Sequence, residues 1–429
     1  MKSKLKPSVF YSWGNAIKSN SFLYPLKQNR VLKNSLAIGA SLSYGDCCLN
    51  DGGNIYHFSS KKIINFDKAL GVVKCEAGIR ISELHNLVIP DGWMMPVSPG
   101  CENITLGGAV ANDVHGKNYH TSSSFGHHIV SLKLLRSDGK KYICSENKNF
   151  ELFKATIGGI GLTGFILEVE FRLKKIETIL TDTHVKIFKS INDYLNIVEK
   201  YDQKYEFSAA WVDLSSSTKG RGVMFGSNFS KKKYLPKTYR KKVFFNFPRL
   251  NINFINRVTS AVFSKIYFWR YQLINNSKIQ NTIFDVLYPL DAIGNWNLMY
   301  GKDGFYQIQL SCPKTNFNDL FYEISNEILK KSCSALSVIK TFNNHKSIGM
   351  LSFPITGHVT IAIDIPNKNI DKHFFNNIEL IVKKHNGRFY LAKDAFMSKK
   401  FFHRSYPQSS NFLKFKDSNL TSSMFKRLF

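Results

Sequence analysis

A chain of 429 residues, 43% of them hydrophobic, is long enough for two or three globular domains around a sizeable core. Its net charge of +28 suits an anionic partner (nucleic acid, a membrane surface or an acidic substrate), although Lys, Asn, Ile and Phe are all abundant and part of the charge reflects that drift. No apolar run approaches the ~20 residues that span a bilayer, the opening MKSKLKPSVFYSW lacks a signal peptide's apolar core, and seven cysteines without a C-x-x-C pair fit neither a disulfide framework nor a metal site, so a cytoplasmic protein without a metal is expected.

VLKNSLA reads as a strand running into a loop of small residues at 39–46. Residues 71–78 are a candidate strand, and Ser82 is a plausible N-cap for a short helix with Leu84, Leu87 and Val88 on one face. The run 98–118, SPGCENITLGGAVANDVHGKN, holds four glycines and is too irregular for one helix or strand. Residues 129–136 and 141–144 flank Asp138-Gly139, a hairpin turn signal. In 165–173, Phe165, Leu167, Val169, Phe171 and Leu173 alternate with polar residues.

Gly159, Gly161 and Gly164 fit G-x-G-x-x-G, but helix-like ELFKAT precedes them and strand-like FILEVEFRL comes after. That order is the reverse of a nicotinamide-binding fingerprint, so a tight helix-to-strand corner is expected. The middle of the chain alternates strands at 207–214, 305–312, 337–342 and 359–365 with helices near 190–200, 318–330 and 372–384, which suggests a separate α+β domain. Within it KKKYLPKTYRKK, residues 231–242, carries seven basic residues and is followed by VFFNFPRL and FSKIYFWRYQ. Basic residues beside aromatics suit an anionic membrane interface or single-stranded nucleic acid; a solvated loop is the plain alternative.

Successive backbone N–H groups in a loop such as 39–46 form a nest that holds a pyrophosphate. A second such segment about sixty residues on, ending in His-Gly-Lys-Asn, would help enclose an extended phosphate-bearing dinucleotide. With Ser124-Phe125-Gly126 and ATIGGIGLTG at 155–164, these segments resemble the FAD domain of the vanillyl-alcohol-oxidase-type (PCMH-type) flavoproteins. Within that superfamily the chain is most similar to the branch acting on lipid-linked pentoses. The similarity continues in order through SAAWVDL, YPLDAIGNWN, GFYQIQL, SVIKTF and LSFPITG to GRFYLAKD.

The resemblance implies an α+β fold: a two-lobed PCMH-type FAD-binding domain over 1–177, then a substrate-binding α+β domain over 178–386 with a mainly antiparallel sheet flanked by helices. A C-terminal segment, 387–429, would return to the FAD domain. Gly39, Ala40, Ser41, Leu42, Ser43, Tyr44, Gly45 and Asp46 match the pyrophosphate loop. Gly100, Thr105, Leu106, Gly107, Gly108, His115, Gly116, Lys117 and Asn118 match segments along the FAD, and Ile166 and Tyr390 two further flavin contacts. Lys393 matches a lysine beside the flavin ring and the substrate. Lys117, Tyr44, Gln307, Gln309 and Lys340 match polar groups around the substrate, and Trp211, Val338 and Phe342 its apolar wall.

The implied reaction moves a hydride from a CH–OH carbon to flavin N5 while the hydroxyl loses its proton. Lys393, Lys117 and Tyr44 are alternative catalytic groups, for the proton or for charge on the reduced ring. Leu42 stands where covalent relatives carry a flavin-linked histidine, so dissociable FAD is expected. Ala362, Thr360 and Leu287 replace a pocket cysteine, an asparagine and a tyrosine of relatives. The expected substrate is a secondary hydroxyl of a sugar, including a polyprenyl-phosphoryl pentose oxidised at its 2'-OH. A short-chain dehydrogenase-type ketoreductase partner would then complete an epimerisation in cell-envelope polysaccharide synthesis. The alternative is an alditol or sugar-lactone oxidase using oxygen. Peripheral contact with the inner face of an anionic membrane is expected through the basic aromatic segment between Lys231 and Arg270; a nucleic-acid partner is not, because the flavin motifs are intact.

Overall fold

A computed structural model describes residues 6–24, 31–215, 218–239, 243–342 and 345–429. Two sheets build the N-terminal part. In the first, the order is Ser8–Tyr11, Lys18–Tyr24, Asn54–His57, Ser35–Ile38, and both neighbours of Asn54–His57 run parallel to it. The second is antiparallel, in the order Ile63–Asp67, Val72–Glu76, Phe165–Arg172, Ile129–Leu135, Lys141–Ser145. The alternation read in 165–173 holds only from Val169 onward. The register shift after Ile166 reverses the faces, so Phe165 and Leu167 pack into the other core beside Tyr56 and Phe58, while Ile166 joins the side of Val169, Phe171 and Leu173. Val169 and Phe171 are fully buried, under Leu84 and Val88 of the helix Ile81–Val88 and Leu106 and Val110 of the helix Leu106–Ala111. A register shift between Ile166 and Glu168 marks a bulge beside Ile166.

Two details of the expected short helix differ. It starts at Ile81 with Arg80 as N-cap, not at Ser82, because the Glu83 carboxylate accepts from the Arg80 N–H at 3.0 Å and Ile104 O accepts from Ile81 N–H. Leu87 is 39% exposed, since His85 takes the remaining place in the buried stripe beside Leu84 and Val88. The G-x-G-x-x-G segment is the expected corner between the helix Phe150–Thr156 and the strand Phe165–Arg172.

The middle of the chain folds around one eight-stranded sheet, antiparallel at every pairing. Its order is Lys278–Thr282, Leu180–Phe188, Gly222–Phe229, Phe207–Val212, Ser337–Phe342, His358–Pro366, Phe305–Pro313, Arg388–Phe389. The helices Ile191–Lys204, Phe317–Lys331 and Lys372–Lys384 cover one face, where Ile308, Ile339, Ile361 and Ile363 meet Tyr194, Leu320, Ile324, Phe374 and Ile378. Ser190 and Asp371 cap two of these helices with side-chain oxygens. The helix Arg257–Leu273 lies against the other face, with Tyr267 and Phe268 beside Trp211 and Val223.

The tail re-enters both parts. The strand Arg388–Phe389 extends the large sheet. Ser35 N–H donates to Asn419 O at 3.0 Å, and Thr421 N–H donates to Ser35 O at 2.9 Å. In the last helix, Ser423–Leu428, the Arg427 guanidinium forks onto Asp46 at 2.8 and 3.0 Å and onto Asp394 at 2.9 Å. Both carboxylates are buried. Removing the cation would strand two buried anions, so Arg427→Ala should lower unfolding free energy by about 3–5 kcal/mol in a urea titration. A loss under about 1 kcal/mol would show that the clamp carries little.

Candidate active site

The strand Ser35–Ile38 delivers the chain into the loop 39–44, which lines a cavity of about 900 Å³ between the N-terminal part and the large sheet. Gly39 is required by close approach: a Cβ there would lie 2.0 Å from Thr105 Oγ1. Further along, Tyr44 N–H and Gly45 N–H both donate to Ala392 O, at 3.1 and 3.2 Å, and Asp46 N–H donates to Asp394 O at 3.3 Å. The loop end is thereby stitched to the Ala392–Asp394 turn that carries Lys393. Gly45 and Asp46 do not line the cavity; they fasten the loop, Gly45 by contact with Asp394 O and Asp46 through Arg427.

The second wall comes from 98–117. Gly100, Thr105, Gly107, Gly108, His115, Gly116 and Lys117 line the cavity, and Thr105 caps the helix Leu106–Ala111 by accepting from Gly108 N–H at 3.3 Å. Leu106 is buried beneath it, and Asn118 turns away to donate to Pro96 O at 2.8 Å. Ile166, beside the bulge, and Tyr390 complete this side.

The large sheet supplies the opposite wall by register. Trp211 pairs with Val338, Val338 with Ala362, and Ala362 with Gln309, so four strands place these residues in one row. The next rows hold Lys340, Thr360 and Ser311 on one side, and Gln307 with Asp364 on the other. Trp211, Val338, Lys340, Ala362, Gln307 and Gln309 all line the cavity. Phe342 does not: it packs behind His115, with ring centroids 5.0 Å apart. Thr360 lies beneath Gln309, accepting from its Nε2 at 3.2 Å. Leu287 lines the cavity.

Three lysines face this space, and three carboxylates that sequence reasoning missed line it as well: Asp285, Asp291 and, on the sheet face beside the lysines, Asp364. Lys340 Nζ donates to His115 Nδ1 at 2.7 Å and to Gly116 O at 3.0 Å, and burial together with Lys393 and Lys117 holds its pKa well below the lysine range. Lys117 Nζ donates to Val286 O, and burial brings its pKa down to about 8. Asp364 accepts from Gln307 Nε2 and, at 3.3 Å, from Tyr300 OH. Burial raises the Asp364 carboxyl toward neutrality against the pull of Gln307 and Lys393, and burial lowers the Lys393 ammonium against the pull of Asp364. Lys393 Nζ sits 5.5 Å from the centre of the Tyr44 ring, whose phenol burial pushes well above its usual range. The available signal for Asp364 was a lone carboxylate in VTIAIDIP, two residues from Ala362 and therefore on the same strand face. Arg427 had none.

The residues fit an FAD. No protein group among the described residues accepts from the backbone N–H of Ala40, Ser41, Leu42 or Ser43, which leaves four donors in a row for phosphate oxygens. Gly100 and Gly161 line the cavity, and a Cβ at either would meet no protein atom within 4 Å. The volume lies toward the upper end for small-molecule sites.

Comparison with known proteins agrees. Residues 27–145 match the FAD binding domain family. The chain is 30% identical over 412 residues, covering 92% of itself and 88% of the relative, to decaprenylphosphoryl-beta-D-ribose oxidase of Mycolicibacterium smegmatis. It is 25% identical over 181 residues to mouse L-gulonolactone oxidase, covering 42% of this chain and 40% of that one. Over 111 residues it is 26% identical to human Delta(24)-sterol reductase, covering 26% and 22%. Gly39→Val should weaken FAD binding at least ~10-fold by calorimetric titration, through the clash with Thr105, with cooperative unfolding retained; unchanged affinity would remove this loop from the cofactor site.

Proposed function

The chain belongs to the family of decaprenylphosphoryl-β-D-ribose oxidase and is an FAD-dependent oxidoreductase acting on CH–OH groups; on that premise we propose that it oxidises a secondary hydroxyl of a polyprenyl-phosphoryl pentose, the 2'-OH, to a ketone. The observation that carries this reading is the convergence of Gln307, Gln309 and Lys340, from one sheet face, with Lys117 and Lys393 on the cavity that the glycine loops line. Paired carboxamides on one face suit neighbouring sugar hydroxyls. Lys340 and Lys117 suit a phosphodiester, whose charge would relieve the repulsion that the neighbouring lysines exert on Lys340.

FAD, when bound, supplies the acceptor for the hydride. The remaining work falls to side chains. Gln307, held by Asp364, and Gln309, held by Thr360, orient the sugar. Lys393 is the best supported acceptor for the hydroxyl proton. Its lowered pKa keeps a neutral amine accessible, and Asp364 beside it stabilises the ammonium formed. Tyr44 is less suited because its phenol is raised, and Lys117 is engaged with Val286 O. The ketone product suits reduction by a short-chain dehydrogenase-type partner, for a net epimerisation. Leu42 offers no atom for a flavin bond in the first loop, which favours dissociable FAD.

Anaerobic mixing with a prenyl-phosphoryl pentose should bleach the flavin, and alditols or aldonolactones should not; the opposite preference would favour a soluble sugar oxidase. Lys393→Met should retain flavin yet bleach at least ~10²-fold more slowly. Because the neutral amine is the active form, the wild-type rate should rise with pH through a limb below the ordinary lysine range, and Lys393→Met should lose that limb. Acid precipitation should leave all flavin in the supernatant; flavin in the pellet would mean a covalent bond.

A further inference from the structure

The basic aromatic segment is not used by this chemistry. Lys231 to Tyr239 belong to the described residues, whereas 240–242 lie outside them. The chain beyond is not a loop throughout: Arg257–Leu273 is a 17-residue helix. From this helix and the residues before it we propose a seat for an anionic lipid surface, with the helix lying between that surface and the cavity.

Among the described residues, 13 of the 23 exposed large apolar side chains fall within 234–273, so the exposure is concentrated rather than scattered. On the helix, Val258, Val262, Ile266, Trp269 and Leu273 are between 50% and 72% exposed. At ~100° per residue they span an arc of about 80°, bordered by Lys265 and Arg270, both exposed. Phe244, 79% exposed, and Ile252 add to the approach. The opposite side of the helix is partnered. Tyr267 packs on Trp211 at 4.8 Å and Tyr271 on Phe225 at 5.0 Å, and both line the cavity.

Charge selects the occupant. Between Asp213 and Asp285 the chain has 14 Lys and Arg and no Asp or Glu. A second copy docking through this face would set like charges against each other. Single-stranded nucleic acid asks for aromatic platforms, and four of the five stripe residues are aliphatic. An aliphatic stripe with one tryptophan and flanking cations suits the headgroup boundary of an anionic bilayer. The helix would lie on such a surface, since among the described residues none is long and apolar enough to cross it. With the substrate proposed for the cavity, one helix would then stand between the lipid anchor and the sugar; that arrangement rests on the substrate reading, whereas the seat itself does not.

Trp269 is a built-in reporter, because it is the one exposed tryptophan among the described residues: Trp93, Trp211 and Trp296 are buried, and Trp13 is half-buried at the cavity. The flavin-loaded protein should co-sediment with phosphatidylglycerol-containing vesicles about ten-fold or more better than with pure phosphatidylcholine, and brominated lipid should quench its emission. Trp269→Phe should keep binding but lose that quenching. Val262→Asp with Ile266→Asp, checked for unaltered melting and flavin content, should cut partitioning at least ~10-fold while a soluble short-chain substrate still bleaches the flavin at the wild-type rate. Absence of vesicle binding, binding that survives the double variant, self-association that shields Trp269, or a preference for single-stranded oligonucleotide would each overturn the seat. Failure of bleaching with vesicle binding intact would overturn the proposed reaction and leave the seat standing.

Discussion

One guanidinium holds the site together. Arg427 neutralises Asp46 at the end of the first loop and Asp394 beside Lys393, so a single cation near the chain's end fixes two segments otherwise far apart in sequence. Burial would otherwise make both carboxylates costly, and a forked planar donor serves them where a lysine's point charge would not. The backbone bonds from Tyr44, Gly45 and Asp46 to the Ala392–Asp394 turn form inside that clamp. The glycine loop and Lys393 are therefore one assembly, and neither the N-terminal part nor the large sheet contains the whole of it.

Register does for the other wall what the clamp does for the first. Side chains two apart on a strand share a face, and direct neighbours across strands share a row. Trp211, Val338, Ala362 and Gln309 are scattered over about a hundred and fifty positions of the sequence, yet lie side by side because three antiparallel pairings align them. Asp364 comes with the same face, and its contact with Gln307 places a carboxylate beside Lys393.

Much of this was legible because it rests on local pattern. The helix read at 372–384 has those bounds, and the alternation in 165–173 gave the buried face of a central strand from Val169 on, the bulge after Ile166 having turned Phe165 and Leu167 the other way. The glycine loops announced themselves because close backbone approach leaves little choice of residue. What escaped depended on tertiary neighbours. Ser82 lost the N-cap to Arg80 because Ile104 and Glu83 organise the first turn. The roles of Asp46 and Gly45 needed the tail to be in place. The helix Arg257–Leu273 went unread within a segment of basic residues beside aromatics, whose plain alternative was a solvated loop, because apolar residues occupy both its faces, one against the sheet and one outward, which blurs the usual periodicity.

The large sheet has a further consequence for how such a protein can change. Gln309, Val338, Lys340 and Ala362 face the cavity, while the alternating Ile308, Ile339, Ile361 and Ile363 are at most 1% exposed beneath the helices. Foundation and lining are interleaved in sequence but separate in space. Side chains that border a cavity carry little of the packing energy, so their replacement tests the fold lightly. Divergence can accumulate on alternate positions of three strands, one ligand preference giving way to another, while the isoleucines between them keep the scaffold unaltered.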